Sequence, residues 1–453
     1  MKYVIMTVTA AALLSSCGLY KSYERPAELE VDSLYNIQRT PEELSENVEL
    51  PSWREVFTDP QLQAYIEKGL ANNTDMQSAQ LQIEQAEASL MAAKWAYVPS
   101  FAFAPQGSLS SIDWNKPSKT YSIPVSASWQ VDIFGSLRNA KRRAKAQVIN
   151  SQAYKDAVQT QLISAIANYY YTLAMLNDQL IISRKTEENW KENVEMMKAL
   201  MKAGQSNMAA VSQTEATYYN VCTQCQDLSD QIITLNQEFS TLLGEVPTTH
   251  SVGSLSNWQE PYLDRNIRAF DLANRPDVKS AEAQLAAAFY ATNESRAAFY
   301  PMLNLSGLLG WTNDLGTVVN PGKWIWNATA ALTQPLLQNG KLRAQLKISK
   351  AQQEQARLTF LQTLLDAGAE VNTAMIKFQN ARTKNKLYEK QIASLETAVK
   401  STKSLMMNSS TTYLEVLTAE QTLLSAELSK IDNDFTQIQA IIELYQALGG
   451  GTK

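Results

Sequence analysis

The chain has one histidine, His250, and three cysteines in 453 residues. That scarcity excludes a His/Cys metal cluster and a histidine-dependent hydrolase. Glycine (16) and proline (14) are too few for a collagen-like or low-complexity chain. Positive charge is not in excess either. A net charge of −5 excludes a nucleic-acid binder that works by neutralising phosphates. What remains is 45% hydrophobic and 19% charged, with a large share of Gln, Asn, Ser, Thr and Ala. Length alone suggests three domains. Polar but uncharged surface, however, suits long packed helices better than an ordinary metabolic enzyme.

The one long apolar run is N-terminal. Lys2 precedes Val4 to Leu14, and Leu14-Ser15-Ser16-Cys17 follows. A charged start, a short apolar stretch and small residues before a cut describe a secretory signal peptide over residues 1–16. The run is too short for a membrane helix, which needs about 20 apolar residues. The Leu-Ser-Ser-Cys sequence resembles a lipobox, and the resemblance implies a covalent lipid on Cys17; the other reading is a plain signal peptide with an incidental cysteine. Gly18 in place of aspartate favours, by the same resemblance, the outer membrane. Two or three acyl chains anchor stably where one is marginal. No later apolar run reaches about 18 residues, so any crossing of the bilayer uses strands.

The chain repeats itself once. Asp75-Met76-Gln77-Ser78-Ala79 reads like Asp277-Val278-Lys279-Ser280-Ala281, an offset of 202. Gly135-Ser136-Leu137-Arg138 pairs with Gly340-Lys341-Leu342-Arg343 at 205, as do Glu215 with Glu420 and Leu243-Gly244 with Leu448-Gly449. The three-residue difference falls between Pro99 and Gly135, in a loop. The parts are then a segment 17–58, a first repeat 59–247, a linker 248–265, a second repeat 266–450 and a tail 451–453.

Each half carries helices with apolar residues stepping 4-3-4-3. Examples are Leu162, Ile166, Tyr169, Leu173, Leu176, Leu180; Val221, Cys225, Leu228, Ile232, Leu235, Phe239, Leu242; and Leu424, Leu428, Ile431, Phe435, Ile438, Ile442, Tyr445. Sustained 3.5-residue spacing is a coiled-coil pattern. No proline interrupts Gly135 to Gly204, or Gly340 to the end. Segments 73–97 and 206–243 together match one such long helix.

Strands lie between the helices, at about 97–107, 120–134, 301–312 and 323–336. Tyr121, Ile123, Val125, Ala127, Trp129, Val131 and Ile133 alternate with Ser122, Pro124, Ser126, Ser128, Gln130 and Asp132. Trp324, Trp326, Ala328, Ala330 and Leu332 alternate with mostly smaller or polar residues. About ten residues of period two, apolar outward, is the transmembrane strand pattern. Six of nine tryptophans fall in or beside these regions, as in interfacial aromatic girdles. A soluble hairpin with one buried face is the alternative. Pro124 removes a ladder donor and implies a bulge or a later strand start. Four strands cannot close a barrel, and open edges in lipid leave backbone groups unpaired. Three copies give twelve strands and a lumen. A homotrimer is the smallest conducting assembly.

This ordered set resembles the TolC-type outer-membrane efflux proteins, in their lipoprotein branch of drug-efflux channels. The resemblance rests on Leu14 to Cys17, Trp129-Gln130-Val131-Asp132-Ile133-Phe134-Gly135, Pro301, Leu332-Thr333-Gln334-Pro335-Leu336 with Gly340 to Arg343, and Tyr413-Leu414-Glu415-Val416-Leu417-Thr418-Ala419-Glu420. It implies a mainly α fold with a small β part: a trimeric coiled-coil tunnel plus a 12-stranded barrel, four strands per chain, and a mixed collar. It implies a passive exit duct for small toxic compounds, working with a periplasmic adaptor and an inner-membrane pump, without catalysis and without a cofactor beyond the lipid on Cys17. By position, Glu415 and Thr418 occupy the family's acidic gate, and Ala210 and Gln213 their first-repeat places. Ala203, Gly204, Gln205 and Asn408, Ser409, Ser410 occupy the adaptor-facing tips. Thr418 departs from the acidic pattern. Glu415 as one more solvated helix residue is the alternative.

Cys222-x-x-Cys225 has no second ligand pair, and Cys225 lies on the apolar stripe, where a thiol acts as a small hydrophobe. Lys141, Arg142, Arg143 and Lys145 either meet lipid phosphates or form a solvated helix face. His250 receives no role. A duct for proteins or peptides, or a coiled-coil structural envelope lipoprotein, are the competing readings. A spacer has no use for the amphipathic strands.

Overall fold

A computed structural model describes residues 20, 22–26, 51–111, 113, 117–261, 272, 274–314, 318–336, 338–407 and 413–451. The signal peptide, Cys17, most of the segment 17–58 and the tip Asn408, Ser409, Ser410 lie outside the described residues. In chain order the elements are α1 (Trp53–Val56), α2 (Pro60–Asn72), α3 (Thr74–Trp95), β1 (Ser100–Phe103), β2 (Gln106–Ser110), β3 (Ser118–Val131), α4 (Ser136–Lys202), α5 (Met208–Leu242), α6 (Pro276–Ala297), β4 (Met302–Asp314), β5 (Val318–Thr333), α7 (Lys341–Met407) and α8 (Tyr413–Ala447), with a 3₁₀ turn at Leu255–Asn257. The duplication is visible in the helix lengths. Helices α3 and α6 have 22 residues each, α4 and α7 have 67, and α5 and α8 have 35. The mainly α fold expected from the sequence is present. No helix among the described residues is long and apolar enough to cross a membrane.

Local chemistry sets the helix ends. Asp59 caps α2 by accepting from the Gln61 N–H at 2.8 Å, with Pro60 at the first helical position. Asn73 ends α2 in extended conformation and caps α3 by accepting from Asp75 N at 2.8 Å. The Asp132 carboxylate accepts from Leu137 N (3.1 Å) and Arg138 N (2.8 Å), closing the first turn of α4.

The described residues fall into two compact units: Met1–Leu29, Leu81–Ala153 and Val278–Thr363 in one; Glu30–Gln80, Tyr154–Asp277 and Leu364–Lys453 in the other. Each unit draws on both repeats.

The first unit carries an antiparallel sheet in the order β1-β3-β4-β5, with β2 also on β3. The strand expected at 97–107 is two pieces. They keep one register on β3, Phe103 opposite Val125 and Gln106 opposite Ser122, so together they fill one strand position interrupted at Ala104 and Pro105. Pro124, where a bulge or a late start is expected, sits inside β3 instead. Its carbonyl accepts from Ala104 N at 3.4 Å, so its missing N–H faces the interrupted strand, while the ladder with β4 runs on. Across from it stands Gly310, where a Cβ would lie 2.7 Å from the Pro124 Cα. Glycine is the residue that lets the two backbones approach.

Register resolves the two faces of the sheet. One face carries the rows Phe103–Val125–Leu309–Trp326, Ile123–Trp311–Trp324 and Val131–Leu303–Leu332. The other carries Ser100–Ser128–Ser306–Thr329 and Gln130–Asn304–Ala331. The apolar face is exposed in the chain: Phe101 is 72%, Trp326 79% and Leu332 66% accessible. Trp129 donates to the Tyr97 carbonyl at 3.0 Å near one end, and Trp311 meets Trp324 edge-on at 5.4 Å near the other. Six residues separate those levels on β3, about 20 Å of strand. An apolar band of about 25 Å between aromatic girdles is the transmembrane strand arrangement.

The second unit holds the main core. Trp53, Phe57, Leu62 and Ile66 from the first helices pack on Ile163, Ile166 and Tyr170 of α4, Phe239 of α5 and Ile442 and Tyr445 of α8. The coiled-coil stripes are inside as expected: Ile166, Leu173, Phe239 and Ile442 have no accessible surface. Burying one such side chain contributes about 1.5–3 kcal/mol. The linker after α5 and the chain end both dock here. Gln159 donates to the Gly451 carbonyl at 2.6 Å, and Tyr170 bridges Asp59 (2.6 Å) and Gly253 N (3.0 Å).

His250, which the sequence left without a role, pins that linker. Its N–H donates to Asn236 Oδ1 at 2.7 Å, its Nε2 lies 2.9 Å from Ser240 Oγ, and its ring meets Phe239 and Tyr65 edge-on. Burial lowers its pKa from 6.5; Glu245, 3.7 Å away, opposes this and Lys68 adds to it. The folded state therefore takes the proton less readily than the unfolded chain. Stability from this residue is fully present above pH 6.5 and is lost as pH falls through the lowered folded value. Thermal melts from pH 7.5 to 5 are expected to show falling stability in the wild type and a shallower fall in His250→Gln. Parallel curves would contradict the assignment.

Candidate gate and hairpin tips

The tip between α4 and α5 is tight and fully described. Helix α4 ends with Gly204 at φ +73°, Gly204 N donating to Met201 O at 3.0 Å and Gln205 N to Leu200 O at 2.9 Å. That closing turn needs the left-handed region, which glycine enters without a Cβ penalty. Asn207 then caps α5 by accepting from Ala210 N at 2.9 Å. Ala203, Gly204 and Gln205 are all exposed, with nothing within 4 Å of where a Gly204 Cβ would stand. The matching tip at 408–410 lies outside the described residues.

Helix α8 starts at Tyr413. Leu417 and Leu424 face inward onto Trp190, Val221 and Cys225, Val416 is buried too, and burial pushes the Tyr413 phenol up to about 12. Glu415 and Thr418 fall on the opposite, exposed face, three residues apart and so neighbours on the helix surface. Thr418 spends its hydroxyl on its own helix, donating to Leu414 O at 2.9 Å. The equivalent Gln213 on α5 is exposed and Ala210 half-buried. The structure thus places one carboxylate, Glu415, on this face where the family pattern has two acidic places.

Little more than one turn beyond Glu415, the repeat reproduces an ion pair of which the sequence shows the two acids, Glu215 and Glu420. Lys198 of α4 meets Glu215 of α5 at 3.1 Å, and Lys403 of α7 meets Glu420 of α8 at 2.5 Å. Applying the 205-residue offset to Lys198 gives Lys403, which is the signal that completes the pairing. Glu420 has a further partner without a repeat counterpart, Asn193 of α4, which donates at 2.9 Å. Gln179 of α4 donates to Asp432 at 2.6 Å. These two bonds tie the second hairpin to the first. Beside them is a cavity of about 240 Å³ lined by Lys185, Glu396, Lys403, Glu420 and Glu427. Burial raises the Glu427 pKa, Lys185 opposes this, and Glu396 adds to it. Burial raises Asp432 as well, with the Gln179 bond opposing.

Glu420 is the hub, its side chain 10% accessible. Glu420→Gln keeps the shape and removes the charge that Lys403 faces. A loss of about 1–2 kcal/mol is expected. Hydrogen exchange should then rise in the first turns of α8 and not in α2; unchanged exchange there would contradict the role.

Cys222 and Cys225 are free thiols. Cys222 donates to Glu187 Oε1 at 3.5 Å, and burial pushes Cys225 up to about 11, so neither is poised as a thiolate. Among the described residues no group of His, Cys, Asp and Glu has the arrangement of a metal site.

A two-faced strand set with open edges, joined to paired helical hairpins that end in a polar tip, defines a channel-forming outer-membrane protein. The outer membrane efflux protein profile matches residues 65–245 and 271–450, and the chain belongs to that family. The cation efflux system protein CusC of Escherichia coli is 26% identical over 454 residues, covering 99% of both chains. The pyoverdine export outer membrane protein OpmQ of Pseudomonas aeruginosa is 25% identical over 98% of this chain and 96% of its own. A crystal structure of CusC superposes with a TM-score of 0.85 at 25% identity, covering 96% of this chain and all of that one. The fold is that of an outer-membrane efflux channel, and the outer membrane is where the chain resides.

Proposed function

We propose that the chain is the outer-membrane exit duct of a tripartite efflux system. As a homotrimer anchored by lipid on Cys17, it passively conducts small toxic compounds from the periplasm outward, with a periplasmic adaptor at its tips and an inner-membrane pump behind it. The sheet carries the reading. Four strand positions with an apolar and a polar face leave two bare edges, and three copies bring those edges together as twelve strands around a polar lumen. A structural spacer has no use for such faces. Three copies of Glu415 then form an acidic ring at the periplasmic end that favours cations, with Thr418 adding no charge. Ala203, Gly204 and Gln205, with Asn408, Ser409 and Ser410, meet the adaptor. Relatives named for cations and for pyoverdine match at 26% and 25% identity, which fits a duct that does not itself choose the cargo.

Native mass spectrometry of the detergent-purified full-length protein tests the assembly. Three chains are expected; a monomer or a dimer as the largest species would overturn the reading.

A further inference from the structure

A polar cavity of about 430 Å³ beside the main core has no part in the duct. Three stretches of the second unit meet there: residues 58–60 at the start of α2, Tyr170 and Tyr171 on α4, and the linker after α5 with its 3₁₀ turn. The walls are fixed from behind. Asp59 accepts from Gln61 N at 2.8 Å and from the Tyr170 hydroxyl at 2.6 Å, and that hydroxyl accepts from Gly253 N at 3.0 Å. Asp178 holds the linker by accepting from Ser254 Oγ (3.0 Å) and Leu255 N (2.9 Å). A cavity held in this way is formed before anything enters it, which keeps the ordering cost of binding low.

Four polar side chains on the lining take no part in that frame. Thr58, Tyr171, Asn257 and Gln259 make no side-chain hydrogen bond among the described residues. Three of them are exposed, and water serves them. Tyr171 is different. It is only 6% accessible, stands edge-on to Tyr170 at 5.3 Å, and its hydroxyl is unpartnered but not sealed from the cavity. Burial raises the pKa of this phenol, and the nearby Asp59 carboxylate raises it further, so it keeps its proton as a donor. A buried donor without an acceptor is costly, and a group bound in the cavity removes that cost.

The lining also selects the ligand. It has one carboxylate, Asp59, and no basic side chain, so it repels anions. Both Asp59 oxygens already accept, which leaves a metal ion or an organic cation a poor site. The free donors and acceptors are neutral hydroxyls and amides, and Trp258 adds a broad apolar wall. What answers all of these is a neutral molecule with several hydroxyls and a C–H face for the indole.

We propose that this cavity binds a neutral saccharide of one or two rings, from a glycan strand or free in solution, with the Tyr171 hydroxyl donating to it, Trp258 covering a C–H face, and Asn257 and Gln259 closing on its outer polar groups. The site does not depend on conduction and stands or falls separately from the duct.

The test is saturation-transfer NMR on the full-length protein in a detergent without a sugar headgroup, titrated with N,N′-diacetylchitobiose. Saturable transfer is expected. Its dissociation constant should rise about tenfold in Tyr171→Phe, which keeps the ring and removes the donor. Asn257→Ala/Gln259→Ala, at two exposed positions, should weaken binding by a similar factor with melting unchanged. The hyaluronan disaccharide, of like size with one carboxylate, should bind more weakly than chitobiose. Co-sedimentation with purified cell-wall sacculi separates the sources: retention that is lost in Tyr171→Phe marks a glycan strand, and disaccharide binding without retention marks a free sugar. Absence of transfer, equal binding of the charged disaccharide, or affinity unchanged in both variants would overturn the proposal. So would displacement by tetramethylammonium, which marks an organic-cation site, or cross-linking of position 259 to residues 27–50, which would mean that the chain fills the cavity itself.

Discussion

Replacing Arg275 by methionine is expected to destabilise the second unit by about 3 kcal/mol. Arg275 is 6% accessible and sits just before α6. It donates to both oxygens of Asp277 (3.0 and 2.7 Å), to Glu370 of α7 at 2.7 Å, and to the Ala447 carbonyl at the end of α8 at 2.6 Å. Burial works against its charge, yet hydrogen bonds and attraction from Asp277 and then Glu370 outweigh it, and its pKa is raised. One planar fork therefore joins the start of α6, the middle of α7 and the end of α8, a geometry that lysine cannot reproduce. The carboxylate side chains are 43% and 56% accessible and regain water when the arginine is lost, which keeps the cost at the low end for a buried pair. The Ala447 carbonyl does not recover as easily. Thermal melts should rank wild type first, Arg275→Lys second and Arg275→Met last, with lysine recovering only part of the loss. A methionine variant that melts with the wild type would show that α8 is held without this fork.

The second large effect is directional. Leu309 lies on the apolar face of β4 in the middle row, between Val125 and Trp326, and is 56% accessible in the single chain. Arginine at that depth facing lipid costs about 2–4 kcal/mol. Ser306, on the same strand and facing the other way between Ser128 and Thr329, should accept arginine at nearly no cost. Leu309→Arg is expected to abolish heat-resistant assembly in the membrane fraction, and Ser306→Arg to keep it. If both variants assemble, the apolar face is not a lipid face. If both fail, the polar row is not a lumen wall.

That contrast was legible in the sequence because a strand has the shortest period a chain can write. Seven apolar residues at every second position from Tyr121 to Ile133 leave one choice of face, and the structure adds only the partner rows. The helices were legible for the same reason, since 4-3 spacing over about twenty residues has no other low-energy use. The expected segments 73–97 and 206–243 overshoot α3 (Thr74–Trp95) and α5 (Met208–Leu242) by three residues each, because the flanking turns have no sequence mark that sets them apart from helix. The broken strand was not legible. Pro105 and Pro124 each argue against a ladder, and only the register shows that both defects face one another and leave β4 undisturbed. Arg275 and His250 were invisible for a different reason. Each is defined by what it reaches across the fold, Ala447 and Glu370 in one case and Ser240 and Asn236 in the other. Of the gate, the sequence supplied Glu415 and Thr418, and the structure adds that both are on one exposed face of α8. The Lys403–Glu420 pair behind them was within reach of the repeat arithmetic once Lys198 was matched.

The central claim is conduction through a channel whose narrow end carries one acidic ring. Single-channel recording of the purified full-length protein in planar bilayers, with Glu415→Gln alongside, addresses it most directly. Discrete openings that prefer cations are expected, with a reversal potential in a salt gradient that moves toward zero in Glu415→Gln. Bilayers that contain the inserted protein yet show no steps from either form would contradict the duct, and steps with an identical reversal potential would remove Glu415 from its narrow end.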